Sequence, residues 1–260
     1  MTFAPIGDFG KHHKKKALGI LWHEGINGRK DEDITSCYKK LFFSGPYRDY
    51  KIFVIWVDNC GGQNKCWTLY TTLVLIVNLT HVEKITLKYF VVGHSFMSAD
   101  NFHRSVEKEM KEMEKVFNFE DFIQCVGNVG SVHVMTPTDF HSFKDGLSQG
   151  AASKRRPLLA DVQMVKFRKG SNMMFYKNST NDDEPFKEAD FLQAKYKKPG
   201  QQFPATRTEN RGISQKKKDV MIKKLKSVIP SDYMPFYHLL TVNNESIDLA
   251  SGREPSTESI

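Results

Sequence analysis

Apolar and polar blocks alternate along the first half of the chain, and their lengths predict strands and helices in turn. Ala17 to Trp22, ALGILW, reads as a strand that ends at His23-Glu24-Gly25. The polar INGRKDED follows. A helix is expected from Ile34 to about Phe43, with Asp31 or Asp33 as its cap and Ser44-Gly45-Pro46 as its stop. Ile52 to Val57, IFVIWV, is an unbroken apolar run rich in β-branched and aromatic residues. That composition predicts a strand buried on both faces. Asp58 ends the run, Gly61-Gly62 permits a tight reversal, and a helix is expected from Asn64 to about Asn78. Lys84 to Val92 is a third strand, ending in Gly93-His94-Ser95. From Ala99 to Val116 the apolar positions Phe102, Val106, Met110, Met113 and Val116 recur three or four apart, an amphipathic helix. Phe119 to Val126 reads as a short helix.

Residues 17–116 therefore read strand, helix, strand, helix, strand, helix. Such alternation predicts an α/β protein with a largely parallel sheet and helical crossovers. The second half is less regular. Ser131 to Met135 is a candidate strand, and Thr136 to Phe143 a candidate short helix. Asp161 to Arg168 alternates, and Asn172 to Tyr176 is its expected hairpin partner across Lys169-Gly170. Lys195 to Gly212 reads as a linker, Ser214 as the cap of a lysine-rich helix over 215–228, and YMPFYHLL as a last short helix. The expected division is a polar arm over 1–16, an α/β core over 17–128, a smaller irregular α+β extension over 129–242, and a tail over 243–260 without a core pattern.

Charge changes this picture. The net charge is +8, but residues 154–242 alone carry 19 Lys+Arg against 9 Asp+Glu. A basic second half fits a polyanion partner, with a solvated lysine-rich face as the plain alternative. Lys154-Arg155-Arg156 and Lys216-Lys217-Lys218 serve equally as localisation signals or solvated faces. Cys37, Cys60, Cys66 and Cys125 contain no C-x-x-C pair and read as reduced thiols of an intracellular protein. No signal peptide is read at the start, and Leu69 to Leu79 is too short to span a bilayer. No small-molecule cofactor is expected.

Two acids occupy equivalent places. Asp58 lies just past one predicted strand, and Asp100 begins the helix after another. Parallel strands would bring both to one sheet edge, where ligands of open α/β sheets bind. Two such carboxylates repel, and Mg²⁺ or Mn²⁺ relieves the repulsion. Paired metals of that kind drive attack on phosphodiesters. Glu107, seven residues beyond Asp100 on the same helix face, is an alternative ligand, and His94 and His103 are near enough to orient the site. The bland readings stay open: Asp58 as a cap or Asx turn, Asp100 as a helix cap, Gln63 and Asn64 as cap residues.

Three motifs occur in order: WHEGINGRKDEDITSC from Trp22, WVDNCGGQNK from Trp56 and VGHSFMSADNFHRSVEK from Val92. With NRGISQKKKDVMIKKLKSVIPSDYMPFYHLL from Asn210, they resemble an uncharacterised transposon-derived domain of invertebrate genomes carrying a D-N-C-G-G-Q-N-K signature. The resemblance spans roughly residues 15–240. That family is similar to ribonuclease-H-like DDE transposases and integrases. The resemblance implies a mixed sheet flanked by helices, with residues 17–23 as its third strand, Asp58 ending the fourth and Asp100 following the fifth. It also implies that the first two strands and one metal ligand lack a counterpart here; Asp8, in polar GDFGKHHKK, is not assigned that role. A sheet without its first hairpin exposes a strand edge and apolar surface, which another chain could complete.

The function implied is metal-dependent cutting or joining of DNA through Asp58 and Asp100, impaired by the missing ligand. Lys65 and the run containing Lys216, Lys217, Lys218, Lys223 and Lys224 would contact phosphates. The rival expectation is a non-catalytic module that binds nucleic acid or protein. Either way the expected location is nuclear and the expected partner is DNA.

Overall fold

The structure is a computed structural model that describes residues 1–6, 17–43, 45–59, 61–90, 97–143 and 156–245. Asp8, Cys60, His94, Lys154 and Arg155, together with residues 246–260, lie outside the described residues. Along the chain the strands and helices are β1 (Thr2–Phe3), β2 (Leu18–Leu21), α1 (Asp31–Phe43), β3 (Ile52–Val57), α2 (Gly61–Asn64), α3 (Trp67–Leu79) and β4 (Lys84–Tyr89). They continue as α4 (Ser98–Met113), α5 (Phe119–Val129), β5 (Ser131–Val134), β6 (Met164–Arg168), β7 (Met174–Lys177), β8 (Lys187–Ala189), α6 (Gln215–Leu225) and α7 (Met234–His238). The class is mixed α/β, with two mixed sheets.

The chain divides into two units, and the boundaries expected near residues 17, 129 and 243 are not where it divides. The first unit comprises Met1–Gly28, Met97–Asp139 and Arg207–Ile260; the second comprises Arg29–Phe96 and Phe140–Thr206. Each unit is assembled from segments distant in sequence, which a left-to-right reading of composition does not reveal.

In the first unit β2 is the middle of a three-stranded sheet, antiparallel to β1 and parallel to β5. This corrects the expected single sheet: residues 18–21 do not share a sheet with residues 52–57. It also corrects the polar arm, because Thr2 and Phe3 pair with Gly19 and Leu18. Phe102 and Val106 of α4 bury with Val126 of α5 against Leu21 and Val132. Gly130 is required here, since a Cβ would lie 2.6 Å from Phe102 and 2.7 Å from the Ala17 carbonyl. Helix α4 stops at Glu114, whose φ of 58° is left-handed.

In the second unit five strands lie in the order β3-β4-β6-β7-β8. β3 and β4 are parallel neighbours, Ile52 beside Lys84 through Val57 beside Tyr89. β6 then runs antiparallel to β4, and β7 returns antiparallel to β6 across the expected hairpin, where Gly170 takes φ 78°. α3 buries all of Leu69, Tyr70 and Leu73 through Val77. A helix apolar on every side belongs inside. Its Tyr70 ring meets Phe167 of β6 at 5.7 Å, and Phe42 of α1 meets Phe53 of β3 edge-on at 4.7 Å.

Two local expectations change. The helix predicted from Asn64 begins at Trp67 instead, because Cys66 is extended and its Sγ accepts from the Leu69 N–H at 3.5 Å. Gly61-Gly62 opens the single turn α2 in place of a tight reversal. The second change is larger. β3 is not buried on both faces: Phe53 and Val57 are covered, while Ile52, Val54 and Trp56 are 54%, 56% and 41% exposed. Among the described residues β3 pairs on one side only, which makes it an edge strand of the five-stranded sheet.

Candidate functional site

The residues around Asp58 are fixed by a chain of buried hydrogen bonds. Asn64 Nδ2 donates to Asp58 Oδ1 at 2.5 Å, and Tyr38 Oη donates to Asn64 Oδ1 at 2.7 Å. Tyr89 Oη donates to the Asn64 carbonyl at 2.7 Å. Tyr89 has one hydroxyl proton, so across its 2.8 Å contact with Tyr70 the Tyr70 hydroxyl is the donor. Burial, followed by the Asp58 charge, pushes the Tyr38 phenol well above its usual range. The Cys66 thiol is pushed up to about 12, chiefly by burial, which leaves it protonated and unreactive. The polar half of DNCGGQNK thus reads as architecture: Asn64 ties the end of β3 to α1.

Lys65 does not reach out to a phosphate. Its side chain is 5% exposed; the ammonium donates to the Ala160 carbonyl at 3.2 Å and lies 4.6 Å from the Tyr89 ring centroid. Burial lowers its pKa, and the Asp161 charge opposes that shift. Asp161, just ahead of antiparallel β6, is the acid that the sheet brings to the same end as Asp58.

Asp100 lies in the first unit and Asp58 in the second. The Asp100 carboxylate accepts the Met97 N–H at 2.7 Å, closing the first turn of α4. That is the structural role weighed against catalysis, and it satisfies a donor that would otherwise be orphaned. Glu107 is exposed on α4, and His103 Nε2 meets Thr2 Oγ1 at 3.0 Å. Among the described residues no three His, Cys, Asp or Glu side chains gather as a metal site. A Mg²⁺ or Mn²⁺ ion is a poor fit to Asp58 within its own unit: one carboxylate oxygen is held by Asn64, and the acid at that sheet end stands beside an ammonium.

Of the five lysines singled out on α6, two are engaged inside their unit. Lys217 Nζ binds Glu24, and Lys218 Nζ donates to the His238 and Leu240 carbonyls at 2.5 and 2.8 Å. Lys216, Lys223 and Lys224 are exposed. The first unit also holds an apolar cleft of about 560 Å³ lined by His23, Glu120 and Phe236; it gathers none of the residues singled out from sequence.

The second unit carries a basic surface that the sequence reading passed over. Register sets one face of the five-stranded sheet. Ile52, Val54 and Trp56 stand beside Lys84, Thr86 and Lys88; these face Arg168, Lys166 and Met164, and Lys166 is beside Phe175. Lys88 lies over the Trp56 ring at 5.4 Å, Arg168 over Phe175 at 4.4 Å, and Lys166 over Phe186 at 3.7 Å. Burial lowers the Lys166 pKa, and so do the nearby charges of Lys84, Arg168 and Lys177. The cations are close enough to repel one another. Lys177 itself is buried, donating to the Asn181 and Asp182 carbonyls at 3.0 and 2.8 Å. The signal in sequence was present but split: two cations on one face of K-I-T-L-K and two on one face of K-F-R, strands that meet only on folding.

A family model described as a domain of unknown function (DUF7869) matches residues 48–182, about half of the chain. The chain belongs to that family. No curated protein and no solved structure matches it. The DUF7869 span includes β3, β4, β6 and β7, hence Asp58, Lys65 and the basic face up to Lys177, and it ends ahead of the lysines of α6. No described helix is long and apolar enough to cross a membrane.

Proposed function

We propose that this DUF7869 protein is a nucleic-acid-binding module of transposon origin, in which binding rather than strand cleavage is the working activity. The observation that carries the reading is the sheet face left open along β3, where Ile52, Val54 and Trp56 are exposed beside the cations Lys84, Lys88, Lys166 and Arg168, while Thr86, Met164 and Phe175 of the same face are buried. Mutual repulsion among like charges costs stability, and a polyanion relieves it. Descent from a ribonuclease-H-like ancestor is supported by the parallel β3–β4 pair with Asp58 at the carboxyl end of β3. The separate β2 sheet and the antiparallel β6 beside β4 depart from that ancestor.

The test is binding of fluorescently labelled nucleic acid, single-stranded and duplex, across a salt series. Expected is an affinity that falls steeply with salt, by a log–log slope of about −0.7 per phosphate contacted on a single strand or −0.9 on a duplex. Lys84→Glu combined with Arg168→Glu should weaken it severely. No binding of either form at low salt would end the reading.

A second reading keeps the inherited chemistry, and the place of Asp58 at the end of β3 is what favours it. Plasmid nicking in Mn²⁺ that disappears in Asp58→Ala would restore it; unchanged plasmid, with binding intact, is the expected result.

A further inference from the structure

Resting on that reading, we propose that the open sheet face takes single-stranded nucleic acid, with a base stacked against Trp56 and phosphates held by Lys84, Lys88 and Arg168. The argument turns on what the cations are mixed with. A duplex offers a protein surface its phosphates and groove edges, and its base faces are hidden in the stack. A surface built for duplex phosphates has no use for exposed apolar side chains. Here Ile52, Val54 and Trp56 form an exposed column along β3, and the cations of β4 and β6 run beside it, each strand about 4.8 Å from the next. Unstacked bases supply the faces that such a column covers, and aromatic side chains bind them without regard to sequence.

Trp56 closes that column. Its ring stands 5.2 Å from Phe90 at an interplanar angle of 37°, so two aromatic rings lie together at the carboxyl end of β3 and β4. Lys88 sits over Trp56, which places a phosphate-binding charge beside the stacking surface. Lys88 also meets Asp182 at 3.6 Å, but the Asp182 side chain is 82% exposed, and a pair that solvated exchanges readily for a phosphate. Lys84 is four residues from Lys88, about 13 Å along the strand, so the face spans several nucleotides rather than one phosphate. Lys177, already satisfied by carbonyls, is left out of the contact set.

The experiment uses the whole chain, a labelled mixed-sequence oligonucleotide and the duplex of the same sequence. Three tryptophans report: Trp22, Trp56 and Trp67. Trp22 donates its indole N–H to the Gly28 carbonyl and Trp67 packs on Phe191 at 5.3 Å, so both give a steady background. Expected results are preference for the single strand, quenching of tryptophan emission on binding, and loss of that quenching in Trp56→Phe, whose smaller ring binds the single strand more tightly than Trp56→Ala does. Trp56→Ala should weaken single-strand binding on the order of tenfold. Thermal melts of both variants confirm that each is folded. Equal competition by duplex, or single-strand affinity unchanged in Trp56→Ala, overturns the proposal while leaving nucleic-acid binding intact. Failure of both single strand and duplex to bind sinks the underlying reading instead.

Discussion

The two faces of the five-stranded sheet are made by the same strands and meet opposite fates. On the covered face Phe53, Ile85, Leu87, Val165 and Phe167 are buried in the same core as the apolar helix α3. On the other face Ile52, Val54 and Trp56 are exposed beside four cations. β3 contributes apolar residues to both, so composition alone could not tell its faces apart. The difference lies in the partners: an all-apolar helix serves one face, and the other carries two cations from β4, Lys84 and Lys88, and two from β6, Lys166 and Arg168. Apolar surface that stays open next to charge is costly to keep, which is why it points to a ligand.

The largest effect should come from hollowing the covered face. Phe167 is fully buried between Tyr70 at 5.7 Å and Phe191 at 6.4 Å. Phe167→Ala should cost about 3–5 kcal/mol in urea unfolding, through lost transfer energy and the cavity left behind. Val54→Thr, one strand surface away on the open face, should change stability by no more than about 0.5 kcal/mol. Equal losses at the two positions would mean that the faces do not differ as described.

Next in size is the bond that fixes Asp58. Asn64→Ala removes both the donor to Asp58 and the acceptor of the buried Tyr38 hydroxyl. The expected loss is about 1–3 kcal/mol. Because the residue acts on architecture, nucleic-acid affinity of the folded variant should stay near that of the parent. A stable Asn64→Ala protein that no longer binds would instead make the Asp58–Asn64 pair itself part of the interface.

Much of this fold could be read from sequence, and the misses share a cause. The order of elements from Ala17 through the β6–β7 hairpin followed from periodicity and turn residues, and the hairpin turned on Gly170 as its φ requires. Pairing was less legible. β2 reads as a strand of the β3 sheet until β5, more than a hundred residues later, is found beside it, since nothing local in ALGILW names its neighbour. Asp100 shows the same limit. Its position at a helix start fitted both a metal ligand and a capping acid, and the sequence could not show the Met97 N–H that it accepts at 2.7 Å. Lys65 looked available in NCGGQNK because burial by Tyr89 and the Ala160 carbonyl arrives from other segments. The basic face went unread for the converse reason: β4 and β6 each showed only two cations, and only register sums them.

The smallest effect, and the one most specific to the open face, concerns Lys166. Burial and the charges of Lys84 on β4, Arg168 on β6 and Lys177 on β7 all lower its pKa from the ordinary 10.5. In the unfolded chain Lys166 keeps its proton to about that value, whereas in the folded protein it loses the proton earlier. Between the two values the unfolded state binds more protons, so stability rises with pH across that window. Lys166→Met lacks the titrating group and should lack that rise, which urea midpoints taken from pH 8 upward would reveal. Its ammonium is partly solvated, so the difference should stay within a few tenths of a kcal/mol. A bound phosphate backbone supplies the missing negative charge, and the Lys166 pKa should then climb back toward or above 10.5. Carbon-detected NMR of the lysine Cε in the free and bound protein measures that shift directly. A Lys166 resonance whose titration is the same in both states would place the nucleic acid somewhere other than this face.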